Sequence, residues 1–160
     1  MKLLFWTSFW VFLADQITKY AVVHGLGLIS DDDGRITVFP GFFEFRMAWN
    51  RGVNFGLGAG YDLRWVLIGV ACAISAFVVI WLSRSKATRM MYIAGGLLVG
   101  GAIGNVIDRV LYGAVADFLN VTCCGFNNPF AFNIADVAIF VGAICLAFAP
   151  EPAKKKPAKK

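Results

Sequence analysis

The stretch Gly104-Asn105-Val106-Ile107-Asp108-Arg109-Val110-Leu111-Tyr112-Gly113-Ala114-Val115-Ala116-Asp117-Phe118 decides how this chain is read. It closes a long apolar run and carries Asn105, Asp108, Arg109 and Asp117. An isolated charge in hydrocarbon costs at least about 2.5–3.5 kcal/mol, so polar groups at that depth are paired or functional. A further carboxylate, Asp136, follows in Phe132-Asn133-Ile134-Ala135-Asp136, where the next apolar run begins.

Composition sets the class. The 160 residues are 59% hydrophobic and 16% charged. A soluble domain has about 45–50% apolar and about 25% charged residues. The chain reads as a small integral membrane protein. Its net charge of +5 does not mark a nucleic-acid surface, because five of its fifteen basic residues fall in the last seven positions. Four cysteines and one histidine, His24, are too few and too scattered for an ordinary zinc site, so no metal is expected. Cys72 and Cys145 lie in apolar runs and read as small buried hydrophobes. Cys123 and Cys124 are adjacent in a loop; a vicinal disulfide is strained, which favours free thiols.

The apolar runs are 3–23, 63–82, 90–107 and 134–149. The first is too long for a secretory signal and runs on through Asp15-Gln16-Ile17-Thr18-Lys19, so it reads as a retained helix. Asp15 and Lys19, four residues apart, share a face and can pair. Asp31-Asp32-Asp33-Gly34 signals a turn. In 43–49, Phe43, Phe45, Met47 and Trp49 alternate with Glu44, Arg46 and Ala48, which predicts a strand with one apolar face. The glycines of Asn50-Arg51-Gly52-Val53-Asn54-Phe55-Gly56 suit a tight, close-approaching loop. Gly96, Gly100 and Gly104 repeat every four residues, as in close helix–helix packing.

Lys2, Arg84, Lys86, Arg89 and the lysine tail fall on one side of the membrane in a four-span arrangement. Segment 112–132 has no lysine or arginine. The positive-inside rule then predicts an all-α integral membrane protein with four transmembrane helices and both termini cytoplasmic. A small extracytoplasmic β-strand element stands between helices 1 and 2. Residues 1–150 form one four-helix membrane domain, and 151–160 a disordered polybasic tail that meets anionic lipid. At about 1.5 Å per residue, Asp15, Asp108, Asp117 and Asp136 converge on the outer interface.

Asp117 and Asp136 are the candidate working pair. Two carboxylates held close share one proton. The ionised one takes a proton from water while the protonated one polarises a carbonyl, as in aspartic proteases. The adjacent Asp108 and Arg109 read as a structural ion-pair network. Asn105 and Asn133 read as helix caps or donors to a substrate backbone. Neither a Gly-x-Ser-x-Gly elbow nor a His-Glu-x-x-His motif is present.

These residues carry a resemblance. The chain resembles the bacterial lipoprotein signal peptidases (signal peptidase II) over nearly its whole length. Asp15–Lys19, Asn50–Phe55, Gly104–Arg109 with Gly113–Phe118, and Phe132–Asp136 fit the family's motifs in order. The resemblance implies an intramembrane aspartic endopeptidase with Asp117 and Asp136 as catalytic dyad and without cofactor. The implied reaction removes a prolipoprotein's signal peptide just before a cysteine already carrying diacylglycerol. Asn50, Gly52, Asn105, Asp108, Arg109 and Asn133 would shape the site, with Asp15 and Lys19 supporting it. The implied location is the bacterial cytoplasmic (inner) membrane, multi-pass, with the active site at the extracytoplasmic face; the implied protein is a monomer whose partners are prolipoproteins and membrane lipids. Two features depart from the family: Asn54 stands where a small residue is usual, and 120–128 finds no match. The rival reading is a small proton-coupled transporter, which predicts acids strung across the membrane and internal repeats. A third is a lipid-binding assembly factor without chemistry.

Overall fold

A computed structural model of the chain describes residues 1–30, 34–52, 63–122 and 128–149. The turn residues Asp31–Asp33, Asn54, the pair Cys123-Cys124 and the tail 151–160 lie outside the described residues. Among the described residues, four α-helices carry the fold: α1 (Lys2–Lys19), α2 (Arg64–Arg84), α3 (Arg89–Tyr112) and α4 (Ile134–Ala147). Three strands accompany them: β1 (Arg35–Phe39), β2 (Phe43–Asn50) and β3 (Val115–Val121). Helices α2 and α3 are long and apolar enough to cross a membrane.

Helix α3 is the hub. Thr88 caps its start, accepting a hydrogen bond from the Met91 amide at 3.3 Å. Gly113 ends it with φ +75°, a left-handed conformation that favours glycine. The glycine repeat does pack helices, against α1, and its neighbour Gly101 packs against α4. A Cβ on Gly96 would sit 2.6 Å from Thr7 Cβ, and one on Gly100 would sit 2.5 Å from the Ser8 carbonyl oxygen, both on α1. A Cβ on Gly101 would sit 2.5 Å from the Ala135 carbonyl oxygen of α4. Lipid tails are as apolar as leucine, so close backbone approach of this kind, rather than hydrophobic drive, holds helices together in a bilayer.

Helix α2 touches α3 along one stripe, where Val78 and Leu82 join Leu4, Met91, Leu98 and Val99. Most other residues of α2 are exposed or half-buried. Cys72 is therefore exposed and Cys145 only half-buried, so the expectation that both are buried is corrected.

The strand expected at 43–49 is observed as β2, but it is the middle of a three-stranded antiparallel sheet ordered β1-β2-β3. The sheet is thus built from two connections, because β3 follows α3 rather than α1. Ala48 pairs with Asp117, Trp49 with Ala116 and Asn50 with Val115. Phe45 and Met47 pack on Val22, Leu28 and Phe118, giving the expected apolar contact. Val22 belongs to a π-helical turn, Tyr20–Gly25, that widens the end of α1 beneath the sheet.

Candidate active site

Two connected polar clusters lie where α1, α3, α4 and β3 meet. The first is organised by Lys19. Its Nζ is 2.7 Å from Asp15 Oδ2 and 2.7 Å from Asp108 Oδ2, and it donates to Asn105 Oδ1 at 3.3 Å. The expected pairing of Asp15 with Lys19 is present. Asp108, however, is paired with Lys19 rather than with its neighbour Arg109. Successive helical residues diverge by about 100°, so adjacent charges seldom share a partner. Arg109 instead donates from Nη1 to the Asn105 carbonyl oxygen at 3.3 Å.

Backbone amides complete this cluster. Asp15 Oδ1 accepts from Ala135 N at 2.9 Å, and Asp108 Oδ2 accepts from Ala116 N at 3.2 Å. Asp15 thereby ties α1 to the first turn of α4, and Asp108 ties α3 to β3. Gly104 allows this: a Cβ there would stand 2.6 Å from Asp15 Oδ2. Gln16, which sequence reasoning passed over, bridges both acids through Nε2, at 3.1 Å to Asp15 and 3.2 Å to Asp108. Its position next to Asp15 in the same turn was the available signal.

The second cluster holds Asp117 and Asp136. Asn133 is the N-cap of α4 and forms a capping box with Asp136: the Asp136 amide donates to Asn133 Oδ1 at 2.9 Å, and the Asn133 amide donates to Asp136 Oδ2 at 3.2 Å. The same Asn133 donates from Nδ2 to Asp117 Oδ1 at 2.7 Å. Asn50 donates to Asp117 Oδ2 at 3.1 Å, and Asn105 to Asp136 Oδ1 at 2.8 Å. Asn133 Nδ2 also reaches Asn105 Oδ1 at 3.2 Å, which links the two halves. Three asparagines thus orient two carboxyl groups. Asn133 acts as a cap, as expected, whereas Asn105 lies within α3 and acts as a donor. Asn50 is fixed in turn by accepting from the Gly52 amide at 3.0 Å. Gly52 has φ +121°, which an L side chain rarely adopts.

Asp117 is 3% exposed. Burial is the main cause that pushes its carboxyl up to about 7, and the charge of Asp136 adds to it. The hydrogen bonds from Asn50 and Asn133 pull in the opposite direction. All ten residues singled out in the sequence therefore lie in these clusters or hold a member of them. What the arrangement offers chemically is one carboxyl that keeps a proton near neutrality beside a second that is fixed by a helix cap.

The chain is similar to known proteins over most of its length. The family model described as Signal peptidase (SPase) II matches residues 7–150. A lipoprotein signal peptidase of Ralstonia nicotianae is 39% identical over 139 residues, covering 86% of this chain and 76% of its own. One from Pseudomonas syringae pv. tomato is 38% identical over 157 residues, covering 94% and 86%. Two solved structures, each described as a bacterial membrane enzyme, superpose with TM-scores of 0.78 and 0.76 at 28% identity. They cover 93% of this chain and 92% and 87% of their own. The membrane character, the helical fold with its small sheet and the sequence relatives point one way: the chain belongs to the signal peptidase II family of peptidases.

Proposed function

We propose that this peptidase is an intramembrane aspartic endopeptidase that cleaves prolipoproteins just before a diacylglyceryl-modified cysteine, with Asp117 and Asp136 as its dyad. The observation that carries the reading is Asp117: buried, raised to about 7, and tied through Asn133 to Asp136. The pair shares one proton. The charged carboxylate takes a proton from water, and that water attacks the scissile carbonyl carbon. The protonated carboxyl gives its proton to the carbonyl oxygen, and collapse of the tetrahedral species sends a proton to the leaving amine. Arg109 Nε is buried without a hydrogen-bond partner among the described residues and serves as a donor for the substrate.

Residues 1–150 act as one domain of four spans in the cytoplasmic (inner) membrane, with both termini cytoplasmic and the dyad at the extracytoplasmic face. The lysine tail meets lipid, and the enzyme works as a monomer without metal. Support comes from the distribution of lysine and arginine and from the placement of all four acids at one end of the helices. The test is cleavage of lipidated and unlipidated substrate by purified protein. Asp117→Asn and Asp136→Asn should each abolish cleavage without loss of folding, and chelator should leave the native enzyme active. Full cleavage by either variant, or loss with chelator, contradicts the two-carboxylate mechanism.

A further inference from the structure

Successive strand residues face opposite sides of a sheet. Asp117 and its partner Ala48 face the dyad, so Ala116 and its partner Trp49 face away from it. On that opposite side lies a separate cavity of about 260 Å³. Its floor is Gln16, Lys19 and Asp108, the cluster described above; its walls are Tyr20, Trp49 and Tyr112, with the His24 ring 5.5 Å from that of Tyr20. The Trp49 and Tyr112 rings lie 5.7 Å apart.

The donors on the floor are already used. Lys19 Nζ has three donors and three acceptors: Asp15, Asp108 and Asn105. The Gln16 amide nitrogen gives both of its protons to Asp15 and Asp108. The opposite amide orientation would set its oxygen against two carboxylates, so Oε1 is turned away from them. Gln16 Oε1 accepts no hydrogen bond among the described residues. What the floor still offers is acceptor capacity, on the Gln16 carbonyl oxygen and the Asp108 carboxylate. Asp15 and Asp108 offset the charge of Lys19, so a floor whose unused capacity is acceptor only, under aromatic walls, suits a ligand that donates and is positive.

We propose that this cavity binds the ammonium group of a phospholipid headgroup, as in phosphatidylethanolamine, on the sheet face opposite the dyad. Position selects a lipid. Helix α3 has 24 residues, about 36 Å at 1.5 Å each, longer than a hydrocarbon core of about 30 Å. Its last residue is Tyr112, and Tyr20 directly follows α1, so both rings lie at the head-group level favoured by tyrosine and tryptophan. Tyr20 is 71% exposed and Tyr112 57%, while Ile17 and Leu111 beside them are exposed apolar surface for the same lipid's chains. The inference is independent of the cleavage reaction.

The test is native mass spectrometry of delipidated protein with phosphatidylethanolamine, phosphatidylcholine or phosphatidylglycerol of matched chains. Phosphatidylethanolamine should bind about tenfold tighter than phosphatidylglycerol, the order of a cation–ring contact together with a hydrogen bond to the acceptor floor, and phosphatidylcholine, positive but without an N–H, should fall between them. Tyr20→Leu and Tyr112→Leu, both at exposed positions, should each remove most of that preference while leaving binding of phosphatidylglycerol unchanged. A thermal melt of each variant checks its fold. Equal binding of all three lipids, or a preference that survives both substitutions, overturns the proposal. Displacement by free phosphoethanolamine as effective as by the intact lipid also overturns it, assigning the cavity to a soluble ammonium.

Discussion

Replacing Asp117 with asparagine should remove activity and make the protein gain stability relative to the native chain as pH rises past neutrality. The Asp117 carboxyl lies near 3.8 when solvated and at about 7 in the fold. Between those values the folded state binds more protons than the unfolded one, so stability falls as pH rises through that window and levels off above it. The full rise is about three pKa units, or about 4 kcal/mol against folding at pH 8. At pH 5 only about 1.5 kcal/mol of that cost is felt. Asparagine cannot ionise and escapes the cost. It does turn a side-chain amide towards the donors of Asn50 and Asn133, but that loss is the same at both pH values and cancels in the difference. Relative to the native chain, Asp117→Asn should therefore gain about 2.5 kcal/mol between pH 5 and pH 8. Denaturant unfolding of both proteins in one detergent at the two pH values measures this, and a cleavage assay on the same samples reads activity. A variant whose relative stability is flat or falls with pH would refute the burial of an ionising carboxyl at this position.

Other expectations follow from the same contacts. The alkaline limb of the kcat/KM profile should lie near 7, and Asn133→Ala should move it upward, because that side chain's hydrogen bond holds the Asp117 carboxyl down; a limb that stays or falls contradicts the role given to Asn133. Lys19→Met leaves Asp15 and Asp108 buried without their cation and should cost about 3–5 kcal/mol in unfolding experiments. Gly101→Ala forces a methyl against the Ala135 carbonyl and should destabilise by about 1–3 kcal/mol, seen as a lowered melting temperature.

The helices were legible because hydropathy and length suffice to find them. The acids of the site were legible because charge in an apolar run is costly enough to stand out. β2 was legible from its period of two. β3 was not: Ala114, Val115, Ala116 and Phe118 form an almost continuous apolar run around Asp117, and a strand buried on both faces shows no alternation. Asp108 does enter an ion-pair network as expected, but with Lys19 and not Arg109, because adjacency in sequence is not adjacency on a helix surface. Gln16 was overlooked because a neutral amide next to an acid is unremarkable until both carboxylates are seen to need a donor. The burial of Cys72 was overestimated because an apolar side chain in this fold can face lipid as readily as protein.

The bond from Ala135 N to Asp15 Oδ1 joins residues 120 positions apart. Its consequence is one of timing. A growing chain that has reached residue 130 already holds Asp15, Lys19, Asp108 and Asp117. It lacks Asn133, the asparagine that touches both members of the dyad, and Asp136 itself. The pair proposed as the dyad is therefore completed only when the start of α4 has been made, and a chain that stops before α4 carries the Lys19 cluster and Asp117 without Asn133 or Asp136.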